Sequence, residues 1–177
     1  MSKPCLATVW LDGCSGCHMS FLDMDERLID LAEKVEVVYS PLVDGKDFPE
    51  MADITLVEGA VSSAEDLEKI KHIRQHTRIL VSLGDCAVTA NVPSMRNVLE
   101  VDKMLREVYL EQVAGQPQIP NQVVPALLPQ ARPVHEVVKV DVFVPGCPPP
   151  ADAIYFLLTE LLEGRQPDLS ALTRFGK

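Results

Sequence analysis

Four of the five cysteines lie in glycine-containing segments where their side chains could bind a metal centre together. Cys14 and Cys17 form a C-x-x-C motif, and Cys86 and Cys147 follow far downstream. A glycine lies within two positions of each, which lets the backbone approach a bound group closely. Four thiolates at one place are the ligands that a tetrahedral metal ion or an iron–sulfur cluster needs. The fifth cysteine, Cys5, lies in an apolar run and is expected to be a small core side chain.

The elements that must position these cysteines alternate between strand-like and helix-like segments. Short apolar runs predict strands over residues 5–11, 35–39, 54–58, 78–83 and 137–144. Apolar faces predict helices over residues 19–33, from Ser62 or Ser63 to about His76, over 98–113 and over 151–163. This alternation predicts an α/β fold: a flavodoxin-like parallel sheet with helices on both faces.

The predicted topology brings the four cysteines to one edge of the sheet. Cys14 and Cys17 follow the first strand, Cys86 follows the fourth and Cys147 follows the fifth. Because parallel strands all end at the same edge, these loops should meet there, where ligand sites of open α/β sheets lie. The sequence therefore predicts a four-thiolate site.

Two other uses of the cysteines compete with an iron–sulfur cluster. A structural zinc site usually pairs two C-x-x-C knuckles, whereas this chain has one knuckle and two lone cysteines. A thioredoxin-like motif would leave Cys86 and Cys147 unexplained. The spacing favours a cluster, and a structural zinc subunit with four cysteine ligands and no redox role stays as an alternative.

Composition limits the partners and the location. A formal net charge of −10 disfavours binding to nucleic acid and to anionic membrane surfaces. No apolar run approaches the roughly 18 residues that span a bilayer, and the N-terminus shows no signal-peptide pattern, so a cytoplasmic location is expected. We expect residues 1–177 to form a single iron–sulfur-cluster domain, with the proline-rich segment 115–134 as an extended connection.

The motifs around the cysteines resemble those of [NiFe]-hydrogenase small subunits and occur in the same order. They are CSGC at 14–17, VEG at 57–59, GDCA at 84–87 and PGCPP at 145–149. Three further segments look like the soluble, bidirectional NAD-reducing hydrogenases: FLDMDE at 21–26, PSMRN at 93–97 and HEVVK at 135–139. The homologous subunit of quinone-reducing, complex-I-like enzymes has two adjacent cysteines instead of C-x-x-C, so the spacing favours hydrogenase.

The resemblance implies an electron-transfer subunit of an NAD-dependent hydrogenase that is not catalytic alone. Cys14, Cys17, Cys86 and Cys147 would hold the proximal [4Fe–4S] cluster, the only one, since the chain has no further ligand set. The chain would pack against a large subunit that carries the Ni–Fe centre. Electrons would leave through clusters of diaphorase subunits that bind FMN and NAD. A flavin in this chain itself is not expected.

Three residues near the cysteines carry further expectations. Glu58 ends the third strand, and it would either relay protons, as the matching glutamate of the family implies, or lie exposed. His18 stands where the family has a small hydroxylated residue, and it would either donate a hydrogen bond to a cluster sulfur or face solvent. Asp85 stands where a small residue is common, and residues 89–91 replace a glycine-rich stretch.

Overall fold

The structure, a computed structural model, describes residues 3–175. Its strands within this range are β1 Cys5–Trp10, β2 Glu36–Tyr39, β3 Ala52–Glu58, β4 Val61–Ser63, β5 Thr77–Leu83, β6 Leu127–Arg132 and β7 Val142–Val144. Its α-helices are α1 Gly16–Leu22, α2 Arg27–Lys34, α3 Ala64–Gln75, α4 Asp85–Thr89, α5 Val101–Arg106 and α6 Ala151–Leu162. Short 3-10 segments cover Val92–Val98 and Val134–Glu136, and a π-helical turn covers Glu107–Glu111.

Five of the strands form one parallel sheet in the order β2-β1-β3-β5-β7. This is the flavodoxin-like strand order, in which the chain changes direction across the sheet between β1 and β3. The strand register pairs Trp10 with Glu58, Glu58 with Leu83, and Leu83 with Val144. The carboxyl ends of β1, β3, β5 and β7 therefore lie side by side, and the predicted fold class is confirmed.

Apolar side chains cover both faces of this sheet. On β3, Leu56 and Val57 point to opposite faces because side chains alternate along a strand. The Leu56 face packs against α6, which buries Ile154 and Leu157. The Val57 face packs against α3, which buries Ile70 and Ile73. Helices thus cover both faces, as predicted.

Two predicted helices are broken in the structure. The helix predicted over 19–33 is divided into α1 and α2 at Asp25, whose φ of 56° is left-handed. Aspartate tolerates this conformation better than most residues, and the turn buries Met24, which is 1% exposed. The helix predicted over 98–113 is likewise interrupted, because Leu99 and Glu100 are extended between the 3-10 segment and α5.

The strand predicted over 137–144 is shorter than expected. Only Val142–Val144 pair with β5, and residues 137–141 form no strand. Just before the strand, the Asp141 carboxylate accepts the Leu80 N–H at 2.9 Å and binds the Arg74 guanidinium at 2.6 Å. Directly before the strand, the Leu80 N–H is thus bound by a side chain, while the Leu80 carbonyl accepts the Asp141 N–H at 2.9 Å.

The segment 115–134 is not extended connection throughout, because it contains strand β6. This strand pairs antiparallel with β4, and the register shifts between Val61 and Ser63. Pro129 lies within the shifted part, where a missing N–H is tolerated. The side chain of Asn97 bonds both the N–H and the carbonyl of Ala131 at 2.8 Å, which anchors β6 from outside.

No helix within residues 3–175 has the length and apolar character that a bilayer crossing requires.

Replacing Ser63 with alanine tests the predicted start of α3. The Ser63 hydroxyl accepts the Asp66 N–H at 3.1 Å, and the Asp66 carboxylate accepts the Ser63 N–H at 2.9 Å, which forms a capping box. We expect Ser63→Ala to lower the free energy of unfolding by about 1 kcal/mol in a urea titration. Lys71→Ala, at an exposed site of the same helix, should change it by less than about 0.5 kcal/mol. Equal effects of the two substitutions would contradict the capping role.

Candidate cluster site

The four predicted cysteines lie in the three loops that leave the carboxyl edge of the sheet. Cys14 is exposed in the loop after β1, and Cys17 is buried in the first turn of α1. Cys86 is half-buried in the first turn of α4, a helix that the sequence did not predict, and Cys147 is exposed after β7. Cys5 lies at the opposite end of β1 and is only partly buried. The structure therefore brings the loops of the four predicted cysteines to one edge of the sheet and leaves Cys5 at the other.

The four thiols are close enough to affect one another electrostatically. Burial raises the pKa of the Cys17 thiol far above its ordinary value, and the charges of Glu58 and of the other three thiolates raise it further. Burial also raises the pKa of Cys86, where Cys147 and Cys14 add to the rise. Four ionised thiolates are therefore unstable together unless a cationic centre compensates their charge, as a metal centre does. The donor set thus fits an iron–sulfur cluster.

Gly84 leaves the space that the Cys17 sulfur occupies. A Cβ atom at position 84 would lie 2.2 Å from Cys17 Sγ, which is closer than two non-bonded atoms can approach. The φ of Gly84 is +82°, a left-handed conformation that also favours glycine. The loop after β5 can therefore approach the C-x-x-C turn only if residue 84 has no side chain.

Asp85 fastens the Cys86 loop to the Cys147 loop. Its carboxylate accepts the Gly146 N–H at 2.7 Å, and its own N–H donates to the Gly146 carbonyl at 2.8 Å. The Asp85 side chain is 4% exposed. A small residue at this position could not make the carboxylate contact, so the departure from the family pattern has a structural role here.

Glu58 supports the C-x-x-C turn by accepting hydrogen bonds from its backbone. It is 1% exposed, so the expectation of an exposed carboxylate at the strand end is wrong. Its carboxylate accepts the backbone N–H of Cys17 at 3.4 Å and that of His18 at 3.0 Å. Negative charge is favourable at these N–H groups because they belong to the first turn of α1.

His18 faces neither solvent nor a sulfur atom, so both expectations for it are wrong. Its side chain is buried, with Nδ1 against the Glu58 carboxylate and Nε2 3.0 Å from the Thr8 hydroxyl. The Thr8 hydroxyl donates to the Ser40 hydroxyl at 2.7 Å. We call this sequence of contacts, from Glu58 through His18 and Thr8 to Ser40, the Glu58–Ser40 chain.

Sequence reasoning missed Thr8 and Ser40 as members of this site. The available signal was a hydroxyl side chain in the middle of the otherwise apolar strand β1. A buried hydroxyl needs a hydrogen-bond partner, but one sequence does not reveal that the partner comes from His18.

Within residues 3–175, no group of three or more His, Cys, Asp or Glu side chains is arranged to hold a single metal ion.

Comparison with known proteins identifies the family. The model of the family described as NADH ubiquinone oxidoreductase, 20 kDa subunit, matches residues 14–161. The chain belongs to this family. The delta subunit of the NAD-reducing hydrogenase HoxS of Cupriavidus necator is 46% identical over 176 residues, covering 96% of this chain and 84% of that protein.

Two further proteins are similar over most of this chain. A subunit of the F420-non-reducing hydrogenase vhu of Methanocaldococcus jannaschii is 34% identical over 91% of this chain, which spans 57% of that protein. In the crystal structure of an NAD+-reducing [NiFe]-hydrogenase in the H2-reduced state, one chain has a TM-score of 0.93 and 42% identity, with 98% of this chain and 99% of that chain covered. The resemblance to [NiFe]-hydrogenase small subunits is confirmed.

Replacing Gly84 with alanine tests the fit of the cysteine loops. The added Cβ would occupy the position of Cys17 Sγ, so we expect Gly84→Ala to lose most of the iron that the wild-type chain binds after anaerobic purification. Gly164→Ala is the matched control. Gly164 has a φ of +72°, so alanine there carries a similar backbone strain of about 1–2 kcal/mol, but no atom lies within 4 Å of its added Cβ. Equal iron in the two variants would show that the close approach at Gly84 does not matter.

Proposed function

We propose that this chain is the electron-transfer small subunit of an NAD-reducing [NiFe]-hydrogenase and that Cys14, Cys17, Cys86 and Cys147 hold its proximal [4Fe–4S] cluster. The observation that carries the proposal is the convergence of these thiols from three loops at one sheet edge. The 46% identity to HoxS delta, over 84% of that protein, supports the same assignment. A related hydrogenase subunit of Archaeoglobus profundus, 28% identical over 97% of this chain, is an iron–sulfur subunit.

The chain would bind and orient the cluster, which supplies one-electron transfer when bound. Cys17 and the buried carboxylates of Glu58 and Asp85 lie on the protein side of the site, whereas Cys14 and Cys147 are exposed. The cluster would therefore lie at the subunit surface, where a partner could exchange electrons with it over a short distance.

The proposed partners are a large subunit with the Ni–Fe centre and diaphorase subunits with FMN, NAD and further clusters. Exposed apolar side chains beside the cysteine loops support a protein partner there. Trp10 precedes the first loop, Met19 lies on α1, and Val92 and Met95 follow α4, with exposures of 44%, 55%, 59% and 72%. A cytoplasmic location is part of the same proposal, and the HoxS resemblance supports it.

We also propose that Glu58 relays protons. The Glu58–Ser40 chain supports this proposal because it links the carboxylate beneath the C-x-x-C turn to Ser40 through buried hydrogen-bonding groups. The Thr8 hydroxyl donates to Ser40, so the ring N–H of His18 at Nε2 donates to Thr8. Each group can thus pass a proton to the next without a bridging water.

Iron, zinc and acid-labile sulfide content is the first test of the cluster. Anaerobically purified protein should contain about four irons and four sulfides per chain. Cys86→Ser should lose most of both, whereas Cys5→Ser should keep them because Cys5 lies at the other end of β1. One zinc without sulfide would instead establish the structural zinc alternative, and co-purifying membrane subunits would point to a complex-I-like assembly.

Glu58→Gln tests the relay in the assembled hydrogenase. Glutamine preserves the size of the side chain but cannot carry a proton as a carboxylic acid does. We expect the rate of H2-dependent NAD+ reduction to fall by roughly tenfold or more, with iron content per chain unchanged. Glu36→Gln, at the exposed start of β2, is the control and should leave the rate unchanged. A loss of rate that only follows a loss of iron would assign Glu58 a supporting role and no relay.

A further inference from the structure

The segment that follows α4 directs two N–H donors at two different cysteine sulfurs. The side-chain amide of Asn91 lies 3.7 Å from Cys147 Sγ, within hydrogen-bonding distance for sulfur. The backbone N–H of the next residue, Val92, lowers the pKa of the Cys86 thiol, against the rise that burial causes. A single short stretch thus contacts cysteines of both downstream loops.

The backbone of Asn91 is held in place independently of its side chain. The Ala90 N–H donates to the Cys86 carbonyl at 3.0 Å, and Ala90 adopts a left-handed φ of 61° that turns the chain back toward the cysteines. On the other side, the Asn91 carbonyl accepts the Ser94 N–H at 3.2 Å and the Ser94 hydroxyl at 2.7 Å. The hydrogen bonds that hold this turn therefore do not use the Asn91 side chain, which is left to contact the sulfur.

We propose that Asn91 raises the reduction potential of the cluster by donating a hydrogen bond from its amide to the Cys147 thiolate. This inference rests on the proposed function of Cys147 as a cluster ligand. Reduction adds an electron whose charge is shared by the ligand sulfurs, and an N–H donor stabilises the more negative sulfur. The amide is uncharged, so its effect reaches the cluster through this one contact. Asn91 is thus a positioning and tuning residue that takes no part in the chemistry of hydrogen.

The test is a redox titration of the cluster, followed by electron paramagnetic resonance, in the assembled hydrogenase. Asn91→Leu keeps the approximate size of the side chain and removes the donor. We expect the ratio of reduced to oxidised cluster at a fixed solution potential to fall about three- to tenfold, which corresponds to a shift of about 30 to 60 mV for a one-electron couple. Asn91→Asp replaces the donor with a charged acceptor of the same shape, so its potential should be lower still.

Thr89→Val is the control variant. The Thr89 hydroxyl donates to the Asp85 carbonyl at 2.9 Å and so uses its one donor on the backbone. This variant should keep the wild-type potential. We therefore expect the wild type and Thr89→Val to share the highest reduction potential. Asn91→Leu should have a lower potential, and Asn91→Asp the lowest. A role of Asn91 in folding alone would change the amount of iron bound without producing this order.

The outcomes separate this inference from the proposed function. Unchanged potentials in Asn91 variants that hold the wild-type amount of iron would overturn the role of Asn91 and leave the cluster assignment standing. Absence of a cluster signal in the wild-type enzyme would overturn the proposed function itself. Wild-type enzyme carrying 15N only in asparagine side chains should also show a 15N hyperfine coupling in the cluster spectrum. This measurement needs no variant to fold, and absence of the coupling would overturn the contact.

Discussion

Repulsion among four thiolates is the interaction that the carboxyl edge of this sheet must accommodate. Burial and neighbouring negative charge both raise the pKa of Cys17, so ionising this thiol beside the other three costs free energy while the backbone holds their loops together. The parallel register supplies that constraint, since Trp10, Glu58, Leu83 and Val144 end their strands side by side. A cationic centre bound among the sulfurs would convert this repulsion into attraction. The fold thus prepares a site that a metal cluster would stabilise.

Two buried carboxylates hold the cysteine loops in similar ways. Glu58 accepts the N–H groups of Cys17 and His18, which fixes the first turn of α1. Asp85 accepts the Gly146 N–H and so joins the second and third loops. Each carboxylate receives backbone donors that would otherwise lose their partners on burial. The loops are therefore held in place by hydrogen bonds within the protein.

The sequence was sufficient for the sheet and for the meeting of the cysteine loops, because both follow from apolar strands that end at a common edge. It was insufficient for the supports of the site. Asp85 and Gly146 are 61 positions apart, and nothing local to either residue indicates their contact. The same holds for His18, whose partner Glu58 lies 40 positions away. Burial of polar side chains is decided by tertiary packing, so single-sequence reasoning placed Glu58 and His18 in solvent as readily as in the core.

Charge around the site is divided between a buried side and an exposed side, with opposite effects on a reduced cluster. Glu58 takes up the N–H groups of Cys17 and His18, so these donors are not available to the sulfurs, and its negative charge opposes the addition of an electron. Donors for sulfur come instead from Asn91 and Val92 at the outer side. In the proposed cluster-bearing subunit, the carboxylate charge would lower the reduction potential of the cluster and the N–H donors would raise it. Because Asn91 lies beside the exposed Cys147 and Glu58 lies against the turn of the buried Cys17, substitutions of Asn91 could adjust the potential while Glu58 still supports its loop.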